Sequence, residues 1–255
     1  MRRIHFIIFG ALLLSLAVCA CKKELSFKPE GTSSFTIVNG LSGTDYLFTN
    51  FNGDKSNGQY YANTAAMRYG NFLFFNSYTG QQDLGLYSAT DTNANSKPVL
   101  RLRFNLERNA VYTLFLSGTT QDADYLMTND QLPYHLPADS TMGLRFINLA
   151  KGSAPITVNL VGKAFGSEEI GLPYKGVSAF KNYNANSAIR SYTFEFRDKA
   201  SGTLLGSCLV DGINNDGSVG SPNIRRNRNY TIVLLGSTVD QTGKRVMIID
   251  EAVKI

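Results

Sequence analysis

Short segments of alternating apolar and polar residues recur along the chain, and they are typical of β-strands that bury one face. In PVLRLRF, residues 98–104, Leu100, Leu102 and Phe104 alternate with Arg101 and Arg103. Such an alternation places the apolar side chains on one side of a strand and the charged ones on the other. Helical periodicity is nearly absent, and Gly, Asn, Asp and Ser bound the segments. The pattern predicts an all-β fold.

An internal repeat predicts two domains. The stretch LERNAVYTLFLSGT, residues 106–119, aligns without gaps on IRRNRNYTIVLLGS, residues 224–237. A weaker match pairs Tyr69, Phe75 and Tyr78 with Tyr174, Phe180 and Tyr183 at a constant offset. We therefore expect two tandem immunoglobulin-like or transthyretin-like antiparallel β-sandwich domains, at residues 34–128 and 142–255. The segment 129–141, NDQLPYHLPADST, is polar, contains two prolines and is predicted to be the linker.

The N-terminus has the pattern of a secretory signal peptide. Arg2 and Arg3 precede an apolar block from Phe6 to Ala20, which is shorter than the roughly 20 residues that a transmembrane helix needs. Residues 1–20 are therefore predicted to be a signal peptide.

The sequence that follows resembles a bacterial lipobox. In VCAC, residues 18–21, Ala20 is a better match than Val18 for the small residue before the lipidated cysteine, so lipidation is assigned to Cys21. Two or three acyl chains on that cysteine would anchor the protein to a membrane, with residues 21–33 as a tether. The start CKKEL is similar to that of many Bacteroidota lipoproteins, and Lys22 fits sorting to the outer membrane. Whether the protein faces the periplasm or the outside stays open.

Several segments together resemble a known family. LRFINLAKGSAPITVNLVG, LPYKGVSAF, SYTFEFRD and NRNYTIVLLG, all between residues 144 and 236, are similar to the bacterial domain of unknown function 4397. The resemblance is clear in the second half and looser in the first. It implies a secreted or lipid-anchored β-sandwich protein, and it brings no catalytic residues with it.

Charge and cysteine content narrow the function classes. Without Arg2 and Arg3 the net charge falls from +5 to +3, which is weak support for a polyanion-binding protein. Of three cysteines, one leaves with the signal peptide and Cys21 is lipidated, so Cys208 has no intrachain disulfide partner. The apolar surroundings of Cys208 in LLGSCLV predict a buried core residue.

Catalytic and metal-binding patterns are not found. The histidine of the mature chain, His135, is predicted to be a solvated linker residue, and no serine stands in a G-x-S-x-G turn. One histidine and one cysteine do not make a zinc site, and DGINNDGSVG, residues 211–220, lacks the glutamate of a calcium loop. No phosphate-binding or nucleic-acid-binding motif is present. We expect no catalytic residues, metal or cofactor, and a protein that is not an enzyme.

Three candidate sites remain. Tyr60 and Tyr61 could form an exposed aromatic pair, although burial of one of them is the more common outcome. A loop of arginines could bind the phosphate or carboxylate groups of an acidic glycan, although a solvated basic turn explains it as well; its members are Arg225, Arg226 and Arg228. Asp139-Ser140-Thr141 resembles a three-residue O-glycosylation motif of Bacteroidota, with Ser140 as the acceptor.

The sequence thus predicts an outer-membrane lipoprotein that presents a non-catalytic binding surface to a glycan or an envelope protein. A structural adhesin or fimbria-like subunit is the first alternative, and an envelope hydrolase of unknown type is the second.

Overall fold

The computed structural model describes residues 31–43, 45–51, 66–90, 96–213, 223–237 and 245–251. These residues form β-strands joined by turns, which confirms the predicted all-β class. Within these ranges there is no helix with the length and apolar composition of a transmembrane span. The predicted signal peptide, Cys21, and Tyr60 with Tyr61 lie outside the described residues.

In the described ranges the first sandwich has nine strands in two sheets. Its outer sheet has the order β4-β3-β6-β7, and its inner sheet has the order β5-β1-β8-β9, with β2 paired to the end of β8. The strands are β1 (Thr32–Val38), β2 (Leu41–Ser42), β3 (Leu47–Asn50), β4 (Ala66–Met67), β5 (Phe72–Tyr78), β6 (Gly80–Ser88), β7 (Leu100–Leu106), β8 (Val111–Thr119) and β9 (Ala123–Asn129).

The second sandwich repeats this arrangement, with eight strands among the residues that the structure describes. Its inner sheet has the order β13-β10-β16-β17 and its outer sheet the order β12-β11-β14-β15. The strands are β10 (Thr141–Asn148), β11 (Ile156–Leu160), β12 (Glu169–Leu172), β13 (Lys181–Asn184), β14 (Tyr192–Asp198), β15 (Leu204–Val210), β16 (Asn229–Leu235) and β17 (Arg245–Asp250). Apart from β2, each strand has a counterpart in the first sandwich.

Most strand pairs are antiparallel, but each inner sheet has a parallel pair at its centre. β1 runs parallel to β8, and β10 runs parallel to β16, in the same relative register. In each sandwich the first strand thus lies beside the penultimate one, so the beginning and the end of each repeat belong to the same sheet.

The described part of the chain has three apolar cores, one inside each sandwich and one between them. In β8 Tyr112, Leu114 and Leu116 enter the first core, whereas Phe115 points the other way. Phe115 meets Ile147 and Val233 of the second sandwich in the third core. Because both faces of the inner sheets are covered, β8 and β16 read as nearly continuous apolar runs rather than as alternating ones. The inner sheets therefore pack against each other.

The turn before β8 and the turn before β16 have the same backbone. Asn109 and Asn227 adopt left-handed conformations with φ of 59° and 58°, which asparagine tolerates better than most residues. The Asn109 N–H donates to Thr32 O at 3.0 Å, and the Asn227 N–H donates to Thr141 O at 2.8 Å. The aligned turns are thus equivalent in structure as well as in sequence.

The aromatic match at β5 and β13 is displaced by one residue from the predicted one. Ser34 and Gly143 are equivalent because they face Val111 and Asn229 across the parallel pairs. On their other side they face Asn76 and Asn182, so these two residues are equivalent. A shift of one residue reverses the faces of a strand, which explains why Tyr78 is exposed and Tyr183 packs on the second core.

Candidate binding site

A cavity of about 290 Å³ lies where the segment between β9 and β10 crosses the start of β16. We call it the linker cavity. Its walls come from residues 132–135 of that segment, from residues 227–229 at the start of β16, and from Glu251 after β17. Three parts of the chain that are far apart in sequence therefore meet there.

Hydrogen bonds fix the segment beside the cavity, and the prediction that His135 is a solvated linker residue is wrong. Asn229 Nδ2 donates to Pro133 O at 2.7 Å, and its Oδ1 lies 2.9 Å from His135 Nε2. His135 Nδ1 lies 3.2 Å from Thr141 Oγ1, and the side chain is buried. Gly143 leaves the room for this contact, because a Cβ there would lie 2.1 Å from Asn229 Oδ1.

Arg226 and Asn227 hold the next part of the segment. Arg226 donates to Asp139 O at 3.2 Å and to Pro137 O at 3.4 Å. Asn227 Nδ2 donates to the same Pro137 oxygen at 3.3 Å. The segment from 133 to 139 is therefore bound to the second sandwich along its length.

The charged groups at the cavity each have a partner of opposite charge. Arg228 Nη1 lies 3.0 Å from Asp250 Oδ2. Glu251 is fully buried, accepts from Thr231 and lies 3.4 Å from Arg145. These pairs balance the charges within the wall of the cavity.

Arg145 joins the cavity wall to the first sandwich. It forms a buried ion pair with Asp130 at 2.7 Å, and its guanidinium carbon lies 4.8 Å from the centre of the Phe180 ring. Because Asp130 follows β9 and Arg145 lies on β10, this pair crosses the contact between the two inner sheets.

Two polar features of the cavity are not used by the fold. Asn227 Oδ1 is buried, and no donor in the described part of the chain bonds to it. The Tyr134 side chain is 81% exposed although its neighbours Pro133 and His135 are hydrogen-bonded. The cavity thus has an aromatic ring held at its rim, while the unpaired Asn227 oxygen lies buried in its wall.

The three predicted arginines do not form one cluster. Arg225 donates to Asp211 O at 2.8 Å, stacks on Tyr230 at 4.7 Å and has a side chain that is only 11% exposed. Arg226 holds the linker, and Arg228 alone lines the cavity. Each guanidinium has protein partners, and the binding of an acidic glycan stays a prediction.

The predicted glycosylation site lies at the far end of the linker. Ser140 is half-buried, and its carbonyl accepts from Ala185 N at 2.6 Å. Modification of its hydroxyl stays a prediction.

An equivalent place in the first sandwich holds a second cavity, which we call the first-sandwich cavity. Its volume is about 300 Å³, and it is lined by residues 32–34, Asn76 and residues 109–111. Hydroxyl and amide groups surround it, and none of its lining residues carries a charge.

Reactive groups elsewhere are held in structural roles. Burial raises the pKa of the Cys208 thiol to about 11, so the thiol is neutral at physiological pH. Glu168 accepts from Tyr183, and Glu169 pairs with Lys181 at 3.5 Å. In the described ranges no group of three His, Cys, Asp or Glu side chains could hold a metal ion.

Comparison with protein-family models and with curated proteins gives no match for this chain. The resemblance to the domain of unknown function 4397 therefore stays a prediction.

The sequence pointed to Arg228 but missed Tyr134, Asn227 and Glu251. Tyr134 stands in a polar segment whose docking cannot be read from its composition. Asn227 had a usable signal, because it recurs as Asn109 in the repeat and asparagine favours left-handed turns.

Proposed function

We propose that this chain is a lipid-anchored protein of the outer membrane whose two sandwiches present a non-catalytic binding surface to a glycan or an envelope protein. The observation that carries the proposal is the linker cavity, where a rigidly held segment displays Tyr134 beside polar groups from the second sandwich. Binding sites are commonly concave and combine an aromatic wall with a few fixed polar groups. The anchor rests on the signal peptide pattern and Cys21.

The packing of the molecule supports a presenting role. The third core joins the two inner sheets, so the described residues from Gly31 onward belong to one compact unit. A rigid body lowers the entropic cost of binding because its surface groups are already in place.

The anchor is tested by metabolic labelling of the host cells with radioactive palmitate. We expect label in the wild-type protein and none in Cys21→Ser. Equal labelling of both proteins would refute the anchor.

The binding surface is tested by retention of the mature protein on isolated envelope glycans and envelope proteins, each immobilised separately. We expect saturable retention on one of the two. If neither retains it above an unrelated β-sandwich protein, the proposed function is wrong.

A structural subunit is the second candidate, and one observation favours it. The outer sheet of the second sandwich exposes Val161, Leu209 and Ile170 by 54%, 57% and 66%. Val161 and Leu209 flank Thr193 on that sheet, and exposed apolar groups of this kind are common where protein chains associate. Ordered polymers of the mature protein in size-exclusion chromatography would favour this candidate, and a stable monomer would contradict it.

A further inference from the structure

The strand β15 lies at one edge of the outer sheet of the second sandwich. It pairs with β14 on one side, and no described strand pairs with it on the other. The backbone N–H and C=O groups along such an edge can form hydrogen bonds with a strand of another chain. An edge strand is therefore a surface at which chains associate unless its side chains prevent it.

The corresponding edge strands of the two outer sheets differ in charge. β7 occupies the equivalent edge of the first sandwich, and its outward-facing side chains include Arg101 and Arg103. Charged side chains on an edge strand commonly oppose pairing with another chain. β15 has the sequence LLGSCLV, which contains neither a charged residue nor a proline. The protection that β7 has is thus missing from β15.

Most other edge strands in the described ranges are very short or carry a charge. β2 and β4 have two residues each. The charged residues of β9, β12, β13 and β17 are Asp124, Glu169, Lys181, Arg245 and Asp250. β5 also lacks a charge, but its exposed side chains are Asn76 and Tyr78, and its phenylalanines are half-buried. Among the described edges, β15 therefore combines exposed aliphatic residues with the absence of charge.

Two leucines of β15 are exposed to solvent at opposite ends of the strand. Leu204 is 48% exposed and Leu209 is 57% exposed. The strand itself is fixed, since Cys208 and Val210 are buried in the second core. A rigid edge pairs at a lower entropic cost than one that must first be ordered.

The positions of the two leucines suit antiparallel pairing with a second copy of the chain. A two-fold axis near the middle of β15, at Ser207, brings Leu204 of one copy close to Leu209 of the other, and the symmetry repeats this contact. Such cross-strand apolar contacts stabilise a sheet, and no charge on β15 meets its own counterpart. Each copy uses one edge strand, so association ends at two copies.

We propose that β15 pairs antiparallel with β15 of a second copy, so that two four-stranded outer sheets join into one continuous sheet. The partner at this edge is another molecule of the same chain. The pairing goes beyond the proposed binding surface and does not depend on it.

The test is analytical ultracentrifugation of the mature protein carrying Cys21→Ser, which has no acyl chain that could cause association. We expect a reversible equilibrium between monomer and dimer. Leu209→Lys in this parent protein should weaken the dimer at least about tenfold, because it removes an apolar contact and places a charge on the pairing edge. Hydrogen exchange of the parent protein needs no change in β15. A higher protein concentration should slow exchange in β15 and leave β7 unaltered.

Matched variants control for the added charge. Asn105→Lys and Asn76→Lys introduce lysine at exposed positions of β7 and β5, and both should dimerise like the parent protein. The double variant Leu204→Glu/Leu209→Lys tests the direction of pairing, because antiparallel strands place each lysine close to a glutamate of the other copy. It should dimerise more tightly than Leu209→Lys alone. Circular dichroism should show that all four variants are folded.

Several outcomes would overturn the proposal. They are a monomer at all concentrations up to about 1 mM, a dimer that Leu209→Lys leaves unchanged, and an equal loss in Asn76→Lys or Asn105→Lys. A double variant no tighter than Leu209→Lys overturns the antiparallel arrangement. If Leu209→Lys does not fold, hydrogen exchange decides, and exchange in β15 that is independent of concentration overturns the pairing.

The size of the assembly separates this proposal from the functions discussed above. Species larger than a dimer would overturn the closed pairing and favour the structural subunit instead. Retention on envelope glycans or envelope proteins is measured separately, so the proposed binding function stands or falls on its own experiment.

Discussion

The two sandwiches share one turn and use it differently. Before β8 and before β16 the chain reads Arg-Asn, and both asparagines adopt the same left-handed conformation. In the first sandwich Arg108 packs against Gly31, whereas in the second Arg226 binds the carbonyls of Pro137 and Asp139. The two arginines thus contact the chain that enters each sandwich, but only Arg226 is shown to hold it by hydrogen bonds to its carbonyls.

The differences between the sandwiches lie in the residues that the repeat does not share. Thr36 in β1 and Arg145 in β10 are equivalent, since they face Thr113 and Thr231 across the parallel pairs. Arg145 forms a buried ion pair with Asp130 across the contact between the sandwiches and a second one with Glu251 within the second sandwich, whereas no described group bonds to Thr36 Oγ1. The ion pair that joins the two sandwiches thus depends on a residue that the repeat does not share.

We expect the largest loss of stability from a substitution in the third core, which lies between the two sandwiches. Phe115→Ala empties a fully buried site between the inner sheets, and we expect it to lower the free energy of unfolding by about 4 kcal/mol. Urea unfolding followed by circular dichroism measures the loss. If the third core couples the sandwiches, the wild type unfolds in one transition and the variant in two. Two transitions in the wild type would show that the sandwiches are independent.

The equivalent positions Arg145 and Thr36 provide a second test. Arg145→Met leaves Asp130 and Glu251 buried without their cation, and we expect a loss of about 3 kcal/mol in the free energy of unfolding. Thr36→Val removes a buried hydroxyl that has no described partner, so it should be neutral or slightly stabilising. Equal losses in both variants would mean that the ion pairs contribute nothing beyond packing.

The fold was predictable where local patterns decide it. Alternation in PVLRLRF predicted the all-β class, which the strands confirm, because alternation depends on neighbouring residues. The repeated Arg-Asn sequence predicted a turn that is used twice, and the two turns have the same backbone. The third core was not predictable in this way. Phe115 and Val233 lie within continuous apolar runs, and such a run does not say what covers its second face.

The site was less predictable than the fold. The sequence suggested one arginine cluster, but the three side chains leave the turn in different directions because each finds its own carbonyl or carboxylate. His135 looked exposed between two prolines, and only the tertiary contact with Asn229 shows that it is buried. Long-range contacts of this kind leave no local signal.

The two arginines of the shared turn give a smaller effect. Arg226→Gln removes two hydrogen bonds to the linker, and because they are exposed we expect a loss of about 1 kcal/mol in the free energy of unfolding. Hydrogen exchange should become faster in residues 131–139 and stay unchanged in β16. Arg108→Gln is the matched control, and it should leave exchange in the linker unaltered. Unchanged exchange in Arg226→Gln would show that His135 and Asn229 hold the linker by themselves.

The smallest effect concerns Cys208, which lies in the second core and has no cysteine counterpart in the first sandwich. Burial raises the pKa of its thiol to about 11 from an ordinary value near 9. Because the folded state keeps the thiol neutral, ionisation of the thiol between pH 9 and 11 favours the unfolded state. The contribution of Cys208 to the free energy of unfolding is therefore complete below pH 9 and is lost as the pH rises toward 11. Cys208→Ala should therefore make the free energy of unfolding less dependent on pH between 9 and 11.

Because the pKa of the buried Cys208 thiol is raised, a thiolate-specific reagent at pH 8.5 should label the native protein roughly a hundredfold more slowly than the urea-unfolded protein. If Phe115→Ala lets the second sandwich unfold separately, Cys208 in this variant will be labelled faster at urea concentrations at which the first sandwich is still folded. If labelling of Cys208 increases only when the whole protein unfolds, the two sandwiches unfold together.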